Sequence, residues 1–308
     1  MIGVKINMGM YRIGDVIKKA RESKGITQER LSEGICSVPT LSRIENNERM
    51  PSRSVFNRLM QRLGRNPEIY DSFLNKSEFN YFLKKREIQR QFFEGEQEEV
   101  KKLINDLEML LEEIDNSNQQ FYKFIKLLFN EDKYSNYELL KKYYEILELT
   151  IPNFDENKIT DYLLDIDEEL IINAIACKYS IIGDYQRAIK IEKRLVNYLE
   201  EKFISDEDRE RIYPMVVYNL SKWQGIQKQY ELAINTCDKG IVFCNKVKTL
   251  VNYGELLYNK GYNYIQLGDK SKGLDNMKIA YYIFLAQHRY VYADHTKTKV
   301  QEMLNILI

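Results

Sequence analysis

From Ile13 to Leu63 the apolar residues fall at helical spacing and break off at short polar clusters. Ile13, Val16, Ile17 and Ala20 recur at i, i+3, i+4 and i+7, which predicts an amphipathic helix over 12–23, ended by Gly25. Thr27 is placed to cap a second helix whose inner face is Leu31 and Ile35. Gly34-Ile35-Cys36 leaves that helix, and Ser37 caps a third. Pro39 falls in the first turn of the third helix, where a missing N–H is harmless. Leu41 and Ile44 face inward there, which leaves Val38, Pro39, Ser42 and Arg43 outward, and Asn46-Asn47 closes it. Pro51-Ser52 opens a fourth helix, with Val55, Phe56, Leu59, Met60 and Leu63 inward and Arg53, Arg58 and Arg62 outward. Gly64 ends it and Pro67 opens a fifth. Residues 1–11 read as an arm, or as an upstream start before Met8 or Met10.

Downstream the pattern is helix after helix. Residues 76–95 read as a charged connecting helix with aromatic anchors, a further place for dimer contacts. Val100, Leu103, Ile104, Leu107, Leu110 and Leu111 form one apolar stripe. Ser135 with Glu138 is a capping-box start for the next, through Leu139, Leu140, Tyr143 and Leu147. Pro152 and Pro214 are read as boundaries between stripes. The body also repeats. Tyr179 to Gly183-Asp184 recurs as Tyr264 to Gly268-Asp269, and Tyr185 with Ala188 recurs as Tyr230 with Ala233, Gly273 taking the small position in a third copy. Each unit is a helix, a tight turn and a second helix with a small residue where helices cross. Residues 96–168 are expected to hold two more copies without the signature.

Ile26 to Pro51 is therefore the outline of a helix-turn-helix, whose second helix lies in the DNA major groove. The stretch resembles the Xre-type, phage-repressor-like module in Thr27-Gln28, Leu31, Ile35-Cys36-Ser37, Leu41 to Asn46 and Pro51-Ser52. It is nearest in flavour to the PlcR and Rgg regulators of Gram-positive bacteria. The repeats resemble tetratricopeptide repeats, with spacing longer than 34 residues. The fold class expected is all-α: a five-helix head at 12–75, a linker helix at 76–95, and a right-handed α-solenoid of degenerate tetratricopeptide-like repeats at 96–308.

Charge sharpens this picture. The net charge is zero, yet residues 1–66 carry 13 Lys+Arg against 6 Asp+Glu, a balance of +7, and the remainder carries −7. A basic head on an acidic body suits a head that meets phosphate. The phosphate contacts expected are Thr27, Gln28, Arg49 and Arg53, the first through a helix N-terminus. Base reading falls to Val38, Pro39, Ser42 and Arg43, with Arg43 placed to fork onto a guanine; Thr40 suits either base or phosphate, and Ser37 is a further DNA-contact candidate. Its competing role is an ion pair with Glu45 or a bond to Asn46; Glu45 reads as structural.

Asn173, Asn219 and Asn259 interrupt apolar helix runs, where an Asn costs roughly half a kcal/mol against Ala. Asn252, Asn259 and Asn263 share one stripe. An amide offers both a donor and an acceptor, which suits the backbone of an extended peptide. The resemblance to peptide-pheromone receptors, the group of PlcR, Rgg and the Rap phosphatases, implies that Asn173, Asn219 and Asn259 clamp a short signalling peptide in a concave groove. Asn263, Trp223 and Tyr262 are further lining candidates. The competing role for these Asn is bonding to neighbouring helices or to water along an unoccupied groove. The resemblance also implies a homodimer on double-stranded operator DNA. The rival readings are a DNA-tethered scaffold whose groove holds a protein partner, and a Rap-like modulator of a response regulator.

Cys36, Cys177, Cys237 and Cys244 form no C-x-x-C and there are two His, so no metal, cofactor or catalytic site is expected. No stretch approaches the ~18–20 apolar residues of a membrane span, and no apolar run precedes a cleavage site. A cytoplasmic, non-enzymatic regulator is the expectation.

Overall fold

The computed structural model describes residues 13–65, 84–85, 87–88, 97–108, 116–201 and 204–307. The N-terminal arm, the helix opening at Pro67 and most of the 76–95 connection lie outside them. The chain forms two compact units, one of residues up to 135 with 141–154 and 163–167, the other of 136–140, 155–162 and 168 onward.

The first unit begins with α1 (Ile13–Ser23), α2 (Gln28–Ser32), α3 (Val38–Glu45) and α4 (Arg53–Arg62). Their caps are the ones the sequence suggests. Thr27, Ser37 and Ser52 each accept a hydrogen bond from the backbone N–H three residues on, at 3.3 Å, contacts of about 1 kcal/mol each. Ile17, Leu31, Leu41, Ile44, Leu59 and Leu63 meet in one buried core. α1 crosses the end of α3 so closely that a Cβ on Gly14 would stand 2.0 Å from the Ile44 carbonyl oxygen. Asn47, left-handed at φ 60°, locks that crossing. Its side chain accepts from the Gly14 N–H at 3.0 Å and donates to Asp15 at 2.8 Å.

One expectation for α4 is overturned. Arg53, Arg58 and Arg62 are buried, not outward. Two of them bond carbonyls at the end of α2 and in the turn that follows it, where helix ends leave backbone acceptors to be satisfied. Arg62 donates to the Leu31 and Glu33 carbonyls, and Arg58 donates to the Gly34 carbonyl at 3.5 Å and pairs with buried Asp165. Further helices are α5 (Gln97–Glu108), α6 (Asn116–Leu128) and α7 (Asn136–Leu147). Buried Gln120 holds the end of α7 by donating to the Ile146 carbonyl at 3.1 Å and to Thr150 at 2.6 Å.

The second unit carries most of α8 (Ile166–Ile181), then α9 (Tyr185–Glu201), α10 (Asp206–Ile226), α11 (Tyr230–Val247), α12 (Tyr253–Gln266), α13 (Lys270–Ala286) and α14 (Tyr290–Leu304). From α9 on, each helix packs on the next in sequence, and α10 also packs on α12. This is a stack of helix hairpins. The repeat signature marks its turns. Gly183 and Gly268 are left-handed at φ 90° and 91°, and in each the following Asp N–H returns to the carbonyl five residues earlier, on Tyr179 and Tyr264. Lys228 takes the same conformation without glycine, and so does His288. Ala188 and Ala233 are fully buried three residues into the helices that follow. Ala293, three residues after Tyr290, is buried in the same way and marks a copy not expected, because His288 hides its turn.

Pro214 is no boundary. It lies inside α10, whose N-cap Ser205 stands nine residues before it. Buried Ile212 and Tyr213 carry the apolar stripe across the proline, and their packing offsets the single backbone bond it removes. No helix among the described residues is long and apolar enough to cross a membrane.

Candidate nucleic-acid interface and repeat-domain cavity

Ser37 sets the start of α3, accepting the Thr40 N–H and sharing a 2.9 Å bond with the Thr40 hydroxyl. Pro39 is exposed beside it, and Val38, Thr40 and Ser42 are half-buried. Arg43 is exposed, and its side chain makes no hydrogen bond or ion pair with any described residue. The reason lies two residues on. Glu45 is buried and its carboxylate is fully engaged: Arg21 forks onto it at 2.6 and 2.8 Å, and the Gln28 amide donates at 2.7 Å. The paired carboxylate holds the Arg21 guanidinium pKa above its ordinary value. Glu45 is therefore a structural anchor tying α1, α2 and α3, and it is unavailable to Arg43. Gln28, a phosphate candidate, spends one amide hydrogen on that anchor. Thr27 and Arg49 are exposed; Arg53 is buried.

In the second unit the asparagines bond across helices. Asn219 on α10 donates to the Asn173 side-chain oxygen on α8 at 2.8 Å and reaches the Cys177 sulfur at 3.5 Å. Asn259 on α12 donates to Ser221 at 3.0 Å and to the Tyr218 carbonyl at 3.3 Å, both on α10. Asn263 turns its amide nitrogen back to the Asn259 carbonyl at 2.7 Å. Its oxygen lies beside Gly225, where a Cβ would stand 2.8 Å away, and has no described partner. Trp223 is buried. Glu192 on α9 is fully buried near Asn219, and burial pushes its carboxyl pKa well above the usual range against a smaller opposing pull from the Asn219 amide.

α10, α12 and α14, alternate helices of the stack, together with Phe284 of α13, line an open-sided cavity of about 360 Å³. Of the six candidates for peptide contact, Asn259, Tyr262 and Asn263 line it; Asn173, Asn219 and Trp223 do not. The lining adds residues that sequence reasoning missed, among them Tyr218, Glu255, Tyr258, Tyr292 and His295. The available signal was spacing along α12, since 255, 258, 259, 262 and 263 share a face at i, i+3, i+4, i+7 and i+8. Glu255 pairs with Arg289 at 2.6 Å, whose guanidinium stacks on Tyr292 at 4.0 Å. The Tyr258 hydroxyl meets His295 Nε2 at 3.2 Å. Burial lifts the Tyr218 and Tyr258 phenols to about 12, so both are neutral at physiological pH.

Comparison with known proteins bears on both regions. Residues 17–70 match the Helix-turn-helix family. Among solved structures, PlcR from Bacillus thuringiensis in complex with the peptide PapR7 and DNA aligns over 92% of this chain and 98% of its own, at TM-score 0.62 and 21% identity. Apo PlcR aligns over 94% and 98%, at 0.61 and 20%. ComR from S. thermophilus, in complex with DNA and its signalling peptide ComS, aligns over 94% and 99%, at 0.53 and 16%. The chain thus shares its fold with these proteins along nearly its whole length. A search of the curated proteins finds no match.

Proposed function

We propose that this protein is a cytoplasmic transcription regulator that binds operator DNA through α2 and α3 and is switched by a short peptide held on the inner helices of its repeats. The observation that carries the reading is the cavity of α10, α12 and α14, lined by Asn259 and Asn263, in a chain that also presents, on its recognition helix, an exposed Arg43 whose side chain pairs with no described residue. The shared fold supports it, since PlcR and ComR are both solved with DNA and a peptide. Arg43, Ser42, Thr40, Pro39 and Val38 face the bases. Ser37, Thr27, Gln28 and Arg49 meet the backbone, Gln28 with the amide hydrogen that Glu45 leaves free. Arg53 is better read as a core residue. A homodimer reads two half-sites, because one such module spans only a few base pairs. Asn173 and Asn219, now bonded to each other, exchange that bond for a peptide backbone on binding. Peptide binds one arrangement of the repeats better, and the difference in its two affinities sets how far DNA binding shifts.

The test is a gel shift on the gene's own upstream region across salt concentrations, with and without synthetic peptides from any neighbouring small open reading frame. A salt-sensitive complex that one peptide alters at micromolar concentration is the expected result. A complex indifferent to every peptide would leave the DNA module standing and remove the peptide switch.

A further inference from the structure

We infer that the cavity between α10, α12 and α14 contains a cation subsite, in which Glu255 receives the ammonium or guanidinium group of a Lys or Arg side chain on the bound peptide. The naming of a peptide as its source rests on the function proposed above; the subsite itself rests on the cavity.

Glu255 lines the cavity and is nine-tenths buried, yet only one of its oxygens is engaged. The other has no partner among the described residues. A buried carboxylate oxygen without a donor is costly, so the free valence calls for a donor from a ligand. Arg289 does not fill it. Its guanidinium is spent on the first oxygen and on the faces of Tyr292 and Phe284, 4.0 and 5.3 Å from the ring centroids. The walls favour a cation over an anion, because Tyr218 and Tyr258 stay neutral and present electron-rich rings. Lys222, which also lines the cavity, follows Ser221, the partner of Asn259, and lies toward the Gly225–Asn263 end.

The second unpartnered acceptor makes the ligand longer than a free amine. The Asn263 oxygen is buried in the same lining. It stands eight residues, about 12 Å, along α12 from Glu255. An extended peptide covers that span in about four residues. The ligand that satisfies both acceptors is therefore an extended segment with a basic side chain at the Glu255 end and a backbone N–H at the Asn263 end, where Lys222 suits an acidic group or a terminal carboxylate.

The test uses the full chain and two probes of one shape, n-butylguanidinium and its neutral counterpart N-butylurea, titrated by saturation-transfer NMR. The cation is expected to bind at least tenfold tighter at low salt, with the gap narrowing as NaCl rises and vanishing in E255Q. Equal affinities in the wild-type chain, or no binding of either probe, overturn the subsite without need of a variant. A gap that survives in folded E255Q overturns it too. Two pools of random fluorescent heptapeptides, one with Lys or Arg fixed at a position and one with citrulline or norleucine there, separate the two levels of the argument. Preference for the basic pool supports both. A retained cation gap with no peptide binding removes the peptide reading and keeps the subsite. Peptide binding without any basic preference keeps the reading and removes the subsite.

Discussion

Arg43 and Glu45 sit two positions apart on α3 and have opposite surroundings. Glu45 is saturated by Arg21 and Gln28, so Arg43 stays free for DNA. Arg43→Ala should therefore weaken operator binding by about 1–3 kcal/mol and relax preference at a single base pair. Fluorescence anisotropy on a set of point-substituted operators reads both, and a thermal melt should not move, because the side chain supports nothing in the fold. The outward row at the start of α3 was legible because caps and helical spacing alone define it. The roles of Arg58 and Arg62 were not, since the carbonyls they bond belong to the end of another helix. Glu192 was hidden for a related reason: amid Lys190, Lys193 and Arg194 it reads as one more solvated charge, yet it is fully buried. Its folded pKa lies above its unfolded value, so between the two the folded state binds more protons. Stability from this group is then greatest below the unfolded pKa and falls as pH rises through that window, by up to ~1.4 kcal/mol per unit. Glu192→Gln should match the wild type near pH 4 and be more stable at pH 7–8; urea titrations at the two pH values check it.

At the scale of elements, the close crossings decide which positions accept change. α12 and α13 approach so nearly that a Cβ on Gly261 would stand 2.6 Å from Met277 Cγ and 2.8 Å from the Gly273 carbonyl oxygen. Met277 can bend away, but the carbonyl moves only if the helices part. Alanine gains up to ~1 kcal/mol of helix propensity over glycine. Overpacking costs about 1–3 kcal/mol. Gly261→Ala should therefore be destabilising by about 1 kcal/mol on balance, read as a lower urea midpoint with an unchanged slope. The repeat itself was visible through Tyr185 with Ala188 and Tyr230 with Ala233, because a small residue at a crossing leaves a direct trace in sequence. The turn at His288 left none, since a left-handed residue is foreseen only when it is Gly or Asn. Pro214 misled in the opposite sense: a proline disfavours a helix locally, and tertiary burial of Ile212 and Tyr213 overrides it in α10.

For the whole molecule, the proposed function places a peptide and a duplex on one chain, and linkage then fixes a relation between them. If bound peptide changes operator affinity by some factor, bound operator must change peptide affinity by the same factor, in the same direction. Two anisotropy titrations, of labelled operator with and without peptide and of labelled peptide with and without operator, give two independent values of that factor. Their agreement at a factor of roughly 5–150, the usual range of such couplings, is the expected outcome. Asn219 offers the separating variant. Its amide donates to Asn173 and reaches Cys177, both on α8. Asn219→Ala should weaken peptide binding about tenfold, the scale of one or two lost hydrogen bonds to a buried backbone. It should leave operator affinity measured without peptide unchanged, and leave the coupling factor intact once peptide is raised to saturation. Loss of operator binding by the folded variant would mean that the polar bridge between α8 and α10 supports the DNA-binding form itself. A coupling factor of one in the wild-type chain would mean that the groove serves a partner with no preference between the two states, and the population-shift mechanism would fail with it.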